Sequence, residues 1–197
     1  MSNEILRHAA EFSKALDGNK FEITDAGVYI PAAKVTLGGV YIHGVNGTDW
    51  RQDSNIVVNE GLLDILSVYL KSGTQKTAWY LSLFGNNYTP VAGLTAATYP
   101  ATAGEITSGS EGYSEANRVT WTGGTPASNM VDNTASMAVF TIVTATSLVV
   151  YGAGLHSVNT KGGTTGVLLS ASKFSAARTL YNTDVFNLSW RLTLTSS

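Results

Sequence analysis

The stretch from Asn59 to Phe84 constrains the fold most, because a helical pattern is followed there by a buried-strand pattern. Apolar residues recur after Asn59 at helical spacing, which predicts an amphipathic helix with one apolar stripe: Leu62, Leu63, Leu66, Tyr69 and Leu70. Asn59 is the expected N-cap, and Glu60 lies near the positive end of the helix dipole. Gly73 is expected to take the left-handed conformation that ends the helix.

The segment after this helix predicts a strand that is covered on both faces. Residues 77–84 are bulky at nearly every position, as in strands without a wet face. The last strand instead alternates, with one bulky face: Phe186, Leu188, Trp190, Leu192 and Leu194. The chain is therefore predicted to be mainly β, an antiparallel β-sandwich or jelly-roll-like fold with one or two short helices near its N-terminal side.

The N-terminal part has a mixed pattern and suggests a soft domain boundary. Residues 2–16 have helical spacing, short strands are predicted around residues 21–23 and 28–30, and Asn46-Gly47 is a strong turn signal. We interpret residues 1–54 as an N-terminal arm or small subdomain and residues 55–197 as the β-sandwich domain. The alternative is that the strands of residues 1–54 belong to the same sheet as strands of the β-sandwich domain.

Composition excludes several classes of partner. The net charge is −2 without a basic stripe, so counterion release cannot drive tight nucleic-acid binding. The sequence has neither an apolar run long enough to span a membrane nor a signal-peptide pattern. We therefore expect neither nucleic acid nor a membrane as a partner. Only 13% of residues are charged, which is about half the usual share and suits surfaces that meet other proteins.

Residue chemistry offers no convincing catalytic site. The three histidines have no metal-ligand spacing, and the chain has no cysteine. The carboxylates of Glu105, Glu111 and Glu115 could form an acid–base pair, but flexible loops hold catalytic geometry poorly. The order of residues 161–166 is wrong for a phosphate loop and favours a hairpin turn instead. We expect no enzyme activity, no catalytic or metal-binding residues, and no cofactor.

Residues 85–127 form a loop-rich stretch that is unusually long for a compact domain. It is expected to be a functional surface loop or a segment ordered by a neighbouring chain. Aromatic residues often dominate interface energy, and an arginine there could pair with Glu111 or Glu115. The candidate interface residues are Tyr88, Tyr99, Tyr113, Arg118 and Trp121. The alternative is that the tyrosines pack under their own loops.

From about residue 59 onward, the order and spacing of several short motifs resemble a family of small structural proteins of tailed bacteriophages, encoded among the head and tail genes. The motifs are Gly61-Leu62-Leu63, Tyr69-Leu70-Lys71, Ala78-Trp79-Tyr80-Leu81-Ser82-Leu83, Tyr88-Thr89-Pro90, Tyr113-Ser114-Glu115-Ala116-Asn117-Arg118 with Trp121, Asp132-Asn133, Ala135-Ser136-Met137-Ala138-Val139-Phe140, Lys161-Gly162-Gly163-Thr164-Thr165-Gly166, Phe174-Ser175-Ala176-Ala177-Arg178 and Asp184.

The resemblance implies a non-enzymatic virion protein, made in the host cytoplasm and located on the capsid surface. A capsid cement or decoration protein that binds and stabilises the shell of major capsid protein is the first expectation. A homo-oligomer is also implied, with a trimer among the options. The alternative is a tail, baseplate or fibre component that binds a host receptor or glycan.

Overall fold

Two antiparallel β-sheets form the body of the protein. The computed structural model describes residues 22–24, 27–29 and 35–196, with side chains described in the last range. In chain order the elements are β1 (Glu22–Thr24), β2 (Gly27–Tyr29), β3 (Val35–Val45), β4 (Thr48–Ser54), β5 (Ile56–Val57), α1 (Asn59–Leu70), β6 (Trp79–Phe84), a π-helical turn (Pro100–Gly104), β7 (Gly112–Tyr113), β8 (Val119–Trp121), β9 (Met130–Asp132), a 3-10 turn (Thr134–Ser136), β10 (Ala138–Val143), β11 (Leu148–His156), β12 (Leu168–Leu180) and β13 (Val185–Ser196).

Chain contacts divide the protein into two units. The smaller comprises residues 1–36 and 195–197 and includes the antiparallel pair β1–β2. The larger comprises residues 37–194 and contains the sandwich. The helix predicted for residues 2–16 lies outside the described residues.

The first sheet of the sandwich has the strand order β4-β3-β13-β10-β7, and β9 also pairs with β13. The second sheet has the order β5-β12-β11-β6-β8. Both sheets contribute side chains to one core, in which Phe140 and Phe186 of the first sheet pack with Leu83 and Phe174 of the second. The predicted mainly β, sandwich-like fold is therefore confirmed.

Strands β3 and β4 belong to the first sheet of the sandwich. The hairpin between them turns at Asn46 and Gly47, both with positive φ, as the Asn-Gly signal predicts. Tyr41 of β3 is fully buried, and its hydroxyl lies 2.8 Å from Oγ of Ser170 on the opposite sheet. The structure thus places the division of the chain near residue 36 and not near residue 54, because residues 37–54 share the core of the sandwich.

The long loop-rich stretch is folded onto the second sheet. Residues of this stretch form a second apolar cluster with β6, β12 and the residue before α1: Val58, Phe84, Leu94, Ala96, Tyr99, Ala103, Leu168 and Ala171. Strand β6 is accordingly covered on both faces, as its sequence predicts. The expectation of a loop that needs a neighbouring chain for its order is corrected, because its own apolar side chains provide the packing.

Candidate functional site

Helix α1 is held firmly against the second sheet. One oxygen of the Glu60 carboxylate accepts hydrogen bonds from the backbone N–H groups of Ala96 (2.8 Å) and Leu168 (2.7 Å). Gly61 lies directly on β12, where an added Cβ would stand 2.5 Å from the carbonyl oxygen of Leu169. Only a glycine permits this close approach, so the helix is fixed in place by its first turn.

The ends of α1 differ from the expected caps. Val58 is the N-cap residue and provides no side-chain hydrogen bond, so the expected capping role of Asn59 is wrong. At the other end Ser72, with φ of +54°, takes the left-handed conformation that was expected of Gly73. A Cβ at Gly73 would stand 2.4 Å from Oγ of Ser67, but this exposed side chain can rotate away, so the position does not demand a glycine.

The bulky stripe of α1 points away from the protein. Its members are between 38% and 83% exposed: Leu62, Leu63, Leu66, Tyr69 and Leu70. We call these five residues the α1 face. The helix packs inward through the smaller set of Gly61, Ile65 and Val68, which are buried or half-buried. The sequence therefore predicts the helix and its stripe, but the stripe faces outward.

The α1 face is continuous and uncharged. At 100° per residue its side chains fall within an arc of about 120°. Asp64, which lies off this arc, forms an ion pair with Lys76 at 2.7 Å. Val91 is also exposed and precedes Ala92, whose carbonyl accepts the Asn59 N–H at 2.9 Å, so a further exposed apolar residue lies near the start of the helix.

The cost of leaving this face in water is substantial. The four leucines together expose about as much as two fully exposed leucine side chains, and Tyr69 adds most of a tyrosine. Covering them would contribute roughly 5 kcal/mol before the entropic cost of association. Contiguous exposed apolar surface on a rigid element is typical of a protein-binding site.

Three of the five residues expected at an interface are buried. Tyr99 and Tyr113 have no exposed surface, and Arg118 is almost fully covered. Tyr99 packs edge-on against Phe84, and Tyr113 packs edge-on against Phe140. These side chains have no surface that a partner could contact, so the prediction that they anchor an interface is wrong. The two tyrosines instead pack inside the protein, which was the alternative.

Arg118 forms a buried ion pair with a partner that sequence reasoning missed. Its guanidinium contacts both carboxylate oxygens of Glu105 at 2.7 Å, and neither side chain is exposed. The same guanidinium donates to the carbonyls of Val158 and Gly163, both at 3.0 Å. The predicted pairing with Glu111 or Glu115 is wrong, because those carboxylates accept backbone amides near β10.

Tyr88 and Trp121 remain at the surface in part. Tyr88 is half-buried and packs against the second apolar cluster. Trp121 lies opposite Trp79 on the neighbouring strand and donates its indole N–H to the carbonyl of Trp190 at 3.1 Å. An interface role for Tyr88 and Trp121 stays a prediction.

A buried polar network joins the two sheets at the β3–β4 hairpin. Nε2 of His43 lies 2.8 Å from Asp53 Oδ2, and Nε of Arg178 donates to His43 Nδ1 at 3.0 Å. The imidazole also stacks on Phe174 with ring centroids 3.9 Å apart. Burial lowers the pKa of His43 to about 4, and the Arg178 charge acts in the same direction. The bond from Arg178 requires an unprotonated Nδ1, so His43 is neutral here with its proton on Nε2.

A second histidine lies beside a serine but is closed to solvent. Ser82 Oγ lies 2.9 Å from Nε2 of His156 and donates to the Tyr99 hydroxyl at 2.9 Å. Burial drives the pKa of His156 well below its ordinary value, and that of Tyr99 well above. Both Ser82 and His156 are fully buried, so a substrate cannot reach the pair in this conformation.

Two kinds of feature are absent from the described residues, and two comparisons with known proteins find no match. Among residues 35–196, no three His, Asp or Glu side chains come together as a metal site would require. In the part of the chain that the structure describes, none of the helices is long and apolar enough to cross a membrane. No protein-family model matches the chain, and a comparison with curated proteins finds no match either.

Proposed function

We propose that this chain is a non-enzymatic structural protein of a bacteriophage particle, a cement or decoration protein on the capsid surface. The exposed α1 face carries the proposal, since it is a rigidly mounted apolar surface that a binding protein would use. The order of motifs along the chain supports the bacteriophage assignment. The proposed partner is the shell of major capsid protein, whose exposed apolar surface would cover α1.

The size of the α1 face suits a partner that is present in many copies. Part of the roughly 5 kcal/mol gained by covering it is lost to ordering, so one isolated contact is weak. A shell offers many equivalent positions, and an oligomer of this chain would bind several of them at once. Synthesis in the host cytoplasm and assembly as a homo-oligomer, with a trimer among the options, belong to the same proposal.

The second candidate is a tail, baseplate or fibre component that binds a host receptor or glycan. Trp79 and Trp121 favour it, because the two residues lie opposite each other on β6 and β8 and both retain exposed surface. Tyr113, which was expected at an interface, is buried and does not contribute to this surface.

Binding to purified shells tests the first candidate. Leu63→Ser combined with Leu66→Ser removes apolar surface equal to about one exposed leucine, so affinity should fall by about 30-fold in co-sedimentation. Tyr181→Ser is the matched control, because Tyr181 is 59% exposed but lies between β12 and β13. Equal binding by all three proteins would refute a role for α1, and the absence of binding by the unmodified protein would refute the function.

A further inference from the structure

Trp50 is the most exposed tryptophan of the chain, and it is held in place by the neighbouring strand. The side chain is on β4, and the residue is 49% exposed. Its six-membered ring lies directly over Gly44 of β3, where an added Cβ would stand 2.6 Å from Cε3 of the ring. One side of the indole therefore rests on the sheet while the rest faces solvent.

A bulge with one left-handed residue directly precedes this indole in the chain. The β3–β4 pairing shifts register between His43 and Val45, and Asp49 has a φ of +47° that is unfavourable for a residue with a side chain. The buried guanidinium of Arg178 holds this conformation by donating to the Asp49 carboxylate and, at 2.7 Å, to its carbonyl. Strain that the surroundings hold in place is a feature of binding sites.

The surroundings of Trp50 are polar, unlike those of the α1 face. Gln52 lies two residues further along β4 and so shares the outward side of the strand. Gln52 and Thr48 are exposed, and Asp49 lies beside them in an exposed pair with Arg51 at 2.9 Å. A single aromatic plane among hydrogen-bonding groups does not fit an apolar protein partner.

We propose that Trp50 and Gln52 form a binding site for a neutral oligosaccharide. The indole would stack on the apolar C–H face of one pyranose ring, and the Gln52 amide would bond its hydroxyl groups. This inference does not depend on α1, because it concerns the outer face of the first sheet. A glycan is also a ligand of the second candidate function, but here it is assigned to Trp50 and Gln52 and not to Trp79 and Trp121.

Affinity electrophoresis of the full chain in gels that contain dextran, galactomannan or mixed-linkage β-glucan tests the site. At least one polysaccharide should retard the protein, and Trp50→Ala should lower the affinity by about tenfold. Trp50→Tyr should retain part of the retardation. Gln52→Ala should weaken binding without removing it, and provides the test if Trp50→Ala fails to fold.

Tyr181→Ala is the control, since it removes a similarly exposed aromatic residue from another place. Failure of all three polysaccharides to retard the unmodified protein would overturn the proposal. Retardation that survives Trp50→Ala, or that Tyr181→Ala removes equally, would overturn it as well.

Discussion

Protonation of His43 should make the protein less stable in mild acid. The ordinary histidine pKa of 6.5 applies to the unfolded chain, whereas the folded pKa is about 4. Between these values the unfolded state binds more protons than the folded state, so the free energy of unfolding falls as the pH falls. The stabilisation is complete above about pH 6.5 and is lost progressively down to about pH 4.

The expected loss follows from the two pKa values. From about pH 7 to about pH 4.5 the contribution of His43 should fall by about 2 kcal/mol. The structural cause is the bond from Arg178 Nε to His43 Nδ1, because a protonated Nδ1 would place two donors 3.0 Å apart. Asp53 acts in the same direction at lower pH, because its pKa is lower in the folded chain than in the unfolded chain. The unfolded chain therefore gains a proton first, and the free energy of unfolding falls further as the pH falls.

Urea unfolding at a series of pH values measures this effect. His156 has a lowered pKa too and adds to the slope, so the informative quantity is the difference between the unmodified chain and His43→Gln. The variant should be less stable at pH 7, and its stability should depend less on pH by about 2 kcal/mol over the same interval. Parallel curves for the two proteins would refute the assignment of the acid sensitivity to His43.

Three further changes test the packing. Arg118→Met leaves the Glu105 carboxylate buried without its partner and should cost about 3–5 kcal/mol in urea unfolding. Gly61→Val places side-chain atoms against the Leu169 backbone and should displace α1, with a cost of about 1–3 kcal/mol and a loss of helical circular dichroism. Deletion of residues 1–54 removes β3 and β4 from the first sheet and should abolish the cooperative thermal transition.

The ion-pair change and the deletion each have a matched control. Arg118→Met combined with Glu105→Met should recover part of the loss, because the unpaired charge is gone. A chain that lacks only residues 1–34 keeps β3 and β4 and should retain a cooperative transition. If deletion of residues 1–54 also leaves a cooperative transition, the first sheet does not need these strands and the boundary near residue 54 is restored.

The strands of the core could be predicted because their patterns are local. Phe186, Leu188 and Trp190 are buried in the alternation that predicts β13, although Leu194 near the end of the same pattern is 45% exposed. Residues 77–84 likewise yield β6, buried on both faces. The alternation of β13 follows the two-residue repeat of a strand with one buried face, whereas the continuous bulky run of β6 indicates a strand that is covered on both faces.

The orientation of α1 could not be predicted, because periodicity identifies a face without saying what covers it. The bulky stripe suggests the core side, but Gly61 brings the other side of the helix against β12. The pairing of Arg118 with Glu105 was equally hidden. The two residues are 13 apart with no shared period, and they meet only because the loop folds back onto the second sheet.

Immunogold electron microscopy of purified particles, with antibody against this chain, tests the central claim most directly. A cement protein that binds the capsid shell should give label in many copies spread over the head. Label confined to the tail or its tip, or no label on the particle, would contradict the account.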